Sequence, residues 1–120
     1  MVVDARILIV DDDPVSMAVI QGLLDREGYE ICKVDMGGPA LDLITVDPSF
    51  DLILLDVMLP DTDGITLCRT LKSNPRTEHI PIVLISGFRT DDHSIRDGLE
   101  AGAEGYLLKP FEDMALRAWV

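Results

Sequence analysis

Five short apolar segments alternate with amphipathic segments along the whole of this 120-residue chain. The apolar segments are rich in branched side chains and bounded by polar residues, as are strands that are buried on both faces of a sheet. They span residues 6–10, 30–34, 51–55, 81–86 and 105–109, and the segments with helical spacing span residues 14–27, 39–47, 64–73, 91–102 and 111–120. Because strand and helix alternate five times, the order predicts one α/β domain with a parallel sheet and helices on both faces.

Capping residues support the predicted helix boundaries. Asp13 precedes Pro14, which is the arrangement of an N-cap followed by proline at the first helical position. Gly28 stands where the first helix is expected to end. Asp63 is the expected cap of the third helix, and Asp61 is predicted to shape the turn just before it.

The charge balance and the absence of long apolar stretches exclude several classes of function. The 22 acidic residues against 10 basic ones give a net charge of -12, which opposes direct binding to nucleic-acid phosphates. The chain has no secretion signal or membrane span, so we expect a cytoplasmic protein. Cys32 and Cys68 lack metal-ligand spacing and are interpreted as buried apolar side chains in a reducing compartment.

Polar groups able to bind a metal and a phosphate stand at the ends of four of the five predicted strands. In open parallel sheets, ligands bind outside the carboxyl ends of the strands. These ends carry, in strand order, Asp11 with Asp12 and Asp13, then Asp56, Ser86 and Lys109. Because they share one edge of the sheet, the sequence predicts a single site there.

The carboxylates at this edge predict a site for a divalent cation. Asp13 has a sufficient role as the helix cap, which leaves Asp11 and Asp12 to converge with Asp56. Three close carboxylates carry about −3 and Lys109 returns about +1, so one divalent cation would balance the site. An all-oxygen ligand set with room for water and a phosphate oxygen favours Mg²⁺. A carboxylate such as Asp56 can then act as a nucleophile toward phosphorus and form an aspartyl phosphate.

Four sequence blocks resemble, in order and spacing, the motifs of response-regulator receiver domains of two-component signalling systems. They are ILIVDDDP, DLILLDVMLPDTDG, PIVLISG and AGAEGYLLKPF, and the resemblance extends over about residues 5–115. It implies a three-layer (βα)5 flavodoxin-like fold with strand order 2-1-3-4-5. It also implies one receiver domain over residues 1–120, and it leaves open an output domain beyond residue 120.

The resemblance implies a role for each residue of the predicted metal site. Asp56 matches the phosphoacceptor, and Asp11 and Asp12 match the acidic pair that holds Mg²⁺. Met58, two residues beyond the acceptor, would give its backbone carbonyl to the metal. Lys109 matches the lysine that binds the phosphate, and its bond to the following proline matches a characteristic cis peptide.

The resemblance also implies a switch and partners. Ser86 matches the switch hydroxyl, and Tyr106 matches the aromatic residue whose rotamer follows it. The phosphoryl donor would be a histidine kinase or a histidine phosphotransfer domain. An output domain or downstream protein would read the surface made by the fourth helix, the fifth strand and the fifth helix. Glu104 and Gly105 replace an acidic pair that is typical of one DNA-binding subfamily, which weakens that subfamily's dimer mode but leaves a homodimer open.

Two alternatives stay open at this stage. The first is an interaction module that keeps the fold without using phosphorylation, although such a module need not retain the complete set of acids, Ser86 and Lys109. The second is a Mg²⁺-dependent phosphatase, which would need a general acid that Met58 does not supply. The receiver interpretation predicts a domain that catalyses only its own phosphorylation and dephosphorylation. His79 and His93 are interpreted as surface residues, and Gly87 is expected to loosen the loop after Ser86.

Overall fold

A parallel sheet with the predicted order forms the centre of the computed structural model, which describes residues 5–25, 28–86 and 92–108. The strands are β1 (Arg6–Val10), β2 (Glu30–Val34), β3 (Leu52–Asp56), β4 (Ile82–Ser86) and β5 (Gly105–Leu108). The helices are α1 (Pro14–Asp25), α2 (Gly37–Val46), α3 (Gly64–Lys72) and α4 (Asp92–Glu100). The strands pair in parallel in the order β2-β1-β3-β4-β5, which confirms the predicted flavodoxin-like topology.

The observed elements differ from the predicted ones in a few places. β3 begins and ends one residue later than predicted, so that Asp56 is its last residue. α2 begins at Gly37, two residues before the predicted start, because its first N–H groups are bound by a side chain from another loop. Cys32 is only half-buried, which corrects the expectation that both thiols are buried. Lys109, Gly87 and the predicted fifth helix lie outside the described residues.

The core lies in two layers, one on each face of the sheet, and β3 contributes to both. Ile53 and Leu55 pack in the layer that includes residues of α2 and α3, while Leu52 and Leu54 pack in the layer that includes residues of α1. Because alternate side chains of a strand point to opposite faces, a strand covered on both sides needs an unbroken apolar run. This requirement explains the four consecutive apolar residues before Asp56.

The helix caps lie where the sequence predicts them. The Asp13 carboxylate accepts hydrogen bonds from the Val15 N–H at 3.0 Å and the Ser16 hydroxyl at 2.9 Å, at the start of α1. The Asp63 carboxylate accepts one from the Ile65 N–H at 2.8 Å, at the start of α3. Gly28 has a φ of 78°, a conformation that suits glycine in the turn between α1 and β2.

Ion pairs connect elements at the amino edge of the sheet, opposite the predicted site. Arg6, at the start of β1, binds Glu30 at 2.6 Å and Asp47 at 2.9 Å. Lys72 at the end of α3 binds Glu104 at 2.9 Å. Glu104 stands where one DNA-binding subfamily of receivers has an acidic pair. Its carboxylate thus forms an ion pair within its own chain.

Two further predictions from the sequence concern the burial of Cys68 and the lack of a membrane-spanning segment. Cys68 is buried and its S–H group donates to the carbonyl oxygen of Ala101 at 3.8 Å. Burial raises the pKa of this thiol to about 11, as expected for an unreactive core cysteine. Among the described residues, no helix is both long and apolar enough to cross a bilayer.

Candidate functional site

Three carboxylates converge at the carboxyl edge of the sheet, as the sequence predicts. Asp11 and Asp12 follow β1, and Asp56 ends β3, which is the neighbour of β1 with Val10 opposite Leu55. One oxygen from each of the three carboxylates lies within 4.8 Å of the others. Asp11 is fully buried and Asp56 is 6% exposed, whereas Asp12 faces solvent.

The two buried carboxylates are oriented by main-chain hydrogen bonds from the residues that follow them. The Asp13 N–H donates to Oδ1 of Asp11 at 2.9 Å, and the Met58 N–H donates to Oδ1 of Asp56 at 2.9 Å. Such turns are favoured by aspartate because its short side chain reaches the backbone two residues on. The chain direction after each strand therefore determines where the carboxylate lies.

The loop between β3 and α3 folds back closely on Asp56. The Gly64 N–H donates to the Val57 carbonyl at 2.7 Å, and Met58 forms a single antiparallel bridge with Asp63. A Cβ atom at Gly64 would overlap the Asp56 carbonyl oxygen and would lie 2.9 Å from the Val57 Cα atom. Because these are backbone atoms, they cannot move aside as a flexible side chain would. Gly64 is thus required for the observed path of the chain, a role that the sequence alone did not predict.

Asp61 has a role different from the predicted one. It was expected to shape the turn before α3, but its carboxylate crosses to α2. There Oδ1 accepts a hydrogen bond from the Gly37 N–H and Oδ2 accepts one from the Gly38 N–H, each at 2.8 Å. The hydrogen bond from the Gly38 N–H, and next that from the Gly37 N–H, hold the pKa of Asp61 below its ordinary value. One sequence signal could have indicated this contact: α2 begins with two glycines that no capping side chain precedes.

The two predicted switch residues lie on the neighbouring strands β4 and β5. Ser86 is the last residue of β4, is 1% exposed, and directly follows Ile85, the sheet partner of Asp56. Tyr106 in β5 is partly buried and packs against the core layer on the α3 side of the sheet. The structure therefore brings Asp11, Asp12 and Asp56 together, and places Ser86 on the strand beside them. Lys109, the predicted phosphate-binding residue, lies outside the described residues.

The donor set at the carboxyl edge fits a hard divalent cation. Its side-chain donors are carboxylate oxygens, the type of ligand that Mg²⁺ and Ca²⁺ prefer. Two of these carboxylates are buried, and carboxylates held close together repel each other unless a cation lies between them. Asp11, Asp12 and Asp56 could therefore hold a metal ion, and a small set that leaves positions for water and a phosphate oxygen suits Mg²⁺.

Comparison with known proteins establishes the family. Residues 7–120 match the profile of the response regulator receiver domain. The chain is therefore a receiver domain of the response regulators of two-component systems, a class of signalling domain. Among curated proteins it is 44% identical over 116 residues to the response regulator PleD of Caulobacter vibrioides and 40% identical over 113 residues to the transcriptional regulatory protein CpxR of Escherichia coli.

The extent of these matches differs between whole regulators and isolated domains. The match covers 97% of this chain but 25% of PleD, and 94% of this chain but 46% of CpxR. Solved receiver structures match along most of their length. The BeF3-activated N-terminal receiver domain of Klebsiella pneumoniae RstA has a TM-score of 0.84 and 34% identity, covering 95% of this chain and 93% of that one. A two-component response regulator from Clostridium difficile has a TM-score of 0.87 and 31% identity, covering 97% and 92%.

Proposed function

We propose that this receiver domain accepts a phosphoryl group on Asp56 in a Mg²⁺-dependent reaction. The observation that carries this proposal is the convergence of Asp11, Asp12 and Asp56 at the carboxyl edge of the sheet, two of them buried. Asp11, Asp12, Asp56 and the backbone carbonyl of Met58 would hold the metal. Phosphorylation and magnesium binding are also typical of the family to which the chain belongs.

The reaction is an in-line displacement at phosphorus. An oxygen of the Asp56 carboxylate forms the new O–P bond while the P–N bond of a phosphohistidine breaks, and the imidazole nitrogen keeps the electron pair of the broken bond. Mg²⁺, when bound, neutralises charge on the phosphoryl oxygens. The Met58 N–H, 2.9 Å from Oδ1 of Asp56, holds the nucleophile in a fixed orientation. Lys109 would bind a second phosphoryl oxygen.

Phosphorylation would be transmitted through Ser86 and Tyr106. The hydroxyl of Ser86, at the end of β4 beside β3, would bind the phosphoryl group, and the Tyr106 ring would follow it inward. α4 lies directly over this ring, since a Cβ atom at Gly98 would lie 3.2 Å from Cδ2 of Tyr106. A change in the ring position is thus expected to change the surface made by α4, β5 and the segment after it, which an output domain or a downstream protein would read.

The proposed partners follow from this chemistry. A sensor histidine kinase or a histidine phosphotransfer domain would supply the phosphoryl group in the cytoplasm. The domain would catalyse only the formation and loss of its own aspartyl phosphate. An output domain beyond residue 120 is consistent with relatives such as CpxR, of which this chain covers 46%. The proposed partners also include a second copy of the domain, in a homodimer.

Incubation with Mg²⁺ and a small phosphodonor such as acetyl phosphate is expected to add one phosphoryl group to the protein. The group should be absent when EDTA removes the metal and absent in Asp56→Asn, because an amide cannot replace the carboxylate nucleophile. Intact-mass spectrometry measures both results. Asp42→Asn, which removes one exposed carboxylate of α2, is the control and should be labelled like the wild type. An unmodified wild-type mass, under conditions that label another receiver domain, would contradict the proposal and favour a phosphorylation-independent interaction module.

A further inference from the structure

The loop that carries Met58 is attached at its tip as well as at its base. At the base, the Met58–Asp63 bridge and the hydrogen bond from the Leu59 N–H to the Thr62 carbonyl, at 3.2 Å, close the loop on itself. At the tip, the Asp61 carboxylate leaves the loop and binds two backbone N–H groups of α2. The loop is therefore held between β3, α3 and α2.

The start of α2 lacks a cap of its own. Its N-cap residue is Met36, which among the described residues makes no side-chain capping hydrogen bond, and the first turn contains no acidic residue. The first N–H groups of a helix have no partner within the helix and carry partial positive charge. Asp61 supplies both the acceptors and the negative charge from 24 positions away in the sequence.

The two glycines at the start of α2 provide the space for this contact. A Cβ atom at Gly37 would overlap the Thr62 methyl group, and one at Gly38 would lie 3.2 Å from Oδ2 of Asp61. A side chain at Gly37 would require the Thr62 side chain to move, and one at Gly38 would crowd the Asp61 carboxylate. The α2 backbone approaches the loop closely enough for Asp61 to cap the helix. This contact links α2 to Met58, the loop residue whose carbonyl is proposed as a metal ligand.

We propose that Asp61 is a positioning residue for the Mg²⁺ site: by fixing the loop tip on α2 it keeps the Met58 backbone carbonyl and the Asp56 carboxylate in the geometry that binds the metal. This proposal rests on the proposed function, in which these two residues are metal ligands. Both oxygens of the Asp61 carboxylate accept hydrogen bonds from N–H groups of α2, so its role would be to fix the position of the loop and not to bind the metal. Groups that orient metal ligands from outside the ligand set commonly change metal affinity about 10-fold to 100-fold when they are removed.

The direct test is the Mg²⁺ dissociation constant of the folded protein, measured by isothermal titration calorimetry without any phosphodonor. Asp61→Ala is expected to raise it about tenfold, and Asp61→Asn, which keeps one oxygen acceptor, is expected to raise it less. Gly37→Ala crowds the same contact from the side of α2 and should also raise the dissociation constant, by less than Asp61→Ala. In both variants the Met58 amide is expected to exchange with solvent faster than in the wild type.

A matched control separates positioning from general loss of stability. Asp47 follows the other end of α2, and its carboxylate binds Ser49 and Arg6 at the opposite edge of the sheet. Asp47→Ala should lower the melting temperature but leave the Mg²⁺ dissociation constant and the Met58 amide exchange unchanged. An unchanged dissociation constant in both Asp61→Ala and Gly37→Ala would overturn the proposal. If the wild type itself bound no Mg²⁺, that result would contradict the proposed function, on which the role of Asp61 rests.

Discussion

Replacing Gly64 with alanine is expected to lower the free energy of unfolding by about 2–3 kcal/mol and to slow phosphorylation about 100-fold. The added methyl group would overlap the Asp56 carbonyl oxygen and crowd the Val57 Cα atom. Relief of this overlap must move either the start of α3 or the end of β3, and the end of β3 carries the phosphoacceptor. A displacement of about 1 Å at a reacting group is enough for a rate loss of this size.

Stability and rate can be measured separately for this variant. Chemical denaturation followed by circular dichroism gives the free energy of unfolding, and intact-mass spectrometry at a temperature where the variant is folded gives the labelling rate with acetyl phosphate. Gly22→Ala is the matched control, because apart from the neighbouring residues and backbone of α1 itself, no described atom lies within 4 Å of the added Cβ atom. It should stabilise the helix by about 0.5–1 kcal/mol and leave labelling unchanged. A folded Gly64→Ala protein with the wild-type rate would contradict the close-approach argument.

Replacing Asp12 with asparagine is expected to remove most of the stabilisation that Mg²⁺ gives to the folded protein. Bound metal stabilises the native state by mass action, so the melting temperature of the wild type should rise with Mg²⁺ concentration. Changes to groups that only orient metal ligands lower metal affinity by up to about 100-fold. Loss of a carboxylate ligand itself should therefore raise the Mg²⁺ dissociation constant by at least about 100-fold. Without metal, the same variant should be at least as stable as the wild type, because one of three neighbouring carboxylates that repel each other is gone.

Thermal denaturation over a series of Mg²⁺ concentrations measures both effects in one experiment. Asp12 suits the test because it is exposed, so that its replacement leaves the core intact. Asp42→Asn makes the same change in net charge on the exposed face of α2 and should respond to Mg²⁺ like the wild type. If Asp12→Asn and the wild type gained equal stability from Mg²⁺, the metal would not be bound by the three carboxylates.

Local patterns in the sequence were sufficient to predict the sheet and the acidic site. The unbroken apolar run 52–55 reports burial on both faces, and in a parallel sheet the residue after such a run must lie at the carboxyl edge. For this reason the meeting of Asp11, Asp12 and Asp56 could be predicted before the structure was known. The comparisons confirm the family and the fold, while the roles of the individual site residues stay predictions.

Features that depend on contacts between distant segments were not predicted. Asp61 was assigned to its own turn, because local rules favour aspartate there and cannot show that α2 offers two uncapped N–H groups nearby. The start of α2 was placed two residues late for the same reason. Gly64 was predicted only as the first residue of the third helix, since only the folded chain brings this residue close to the Asp56 carbonyl.

The central claim is that Asp56 itself becomes an acyl phosphate, and chemical trapping tests it most directly. Borohydride reduces an aspartyl phosphate to homoserine, which peptide mass mapping can assign to a position. After treatment with Mg²⁺ and acetyl phosphate, we expect homoserine at position 56 and aspartate at positions 11 and 12. Homoserine at another aspartate, or a phosphoryl group on Ser86 or a histidine with position 56 unchanged, would contradict the account.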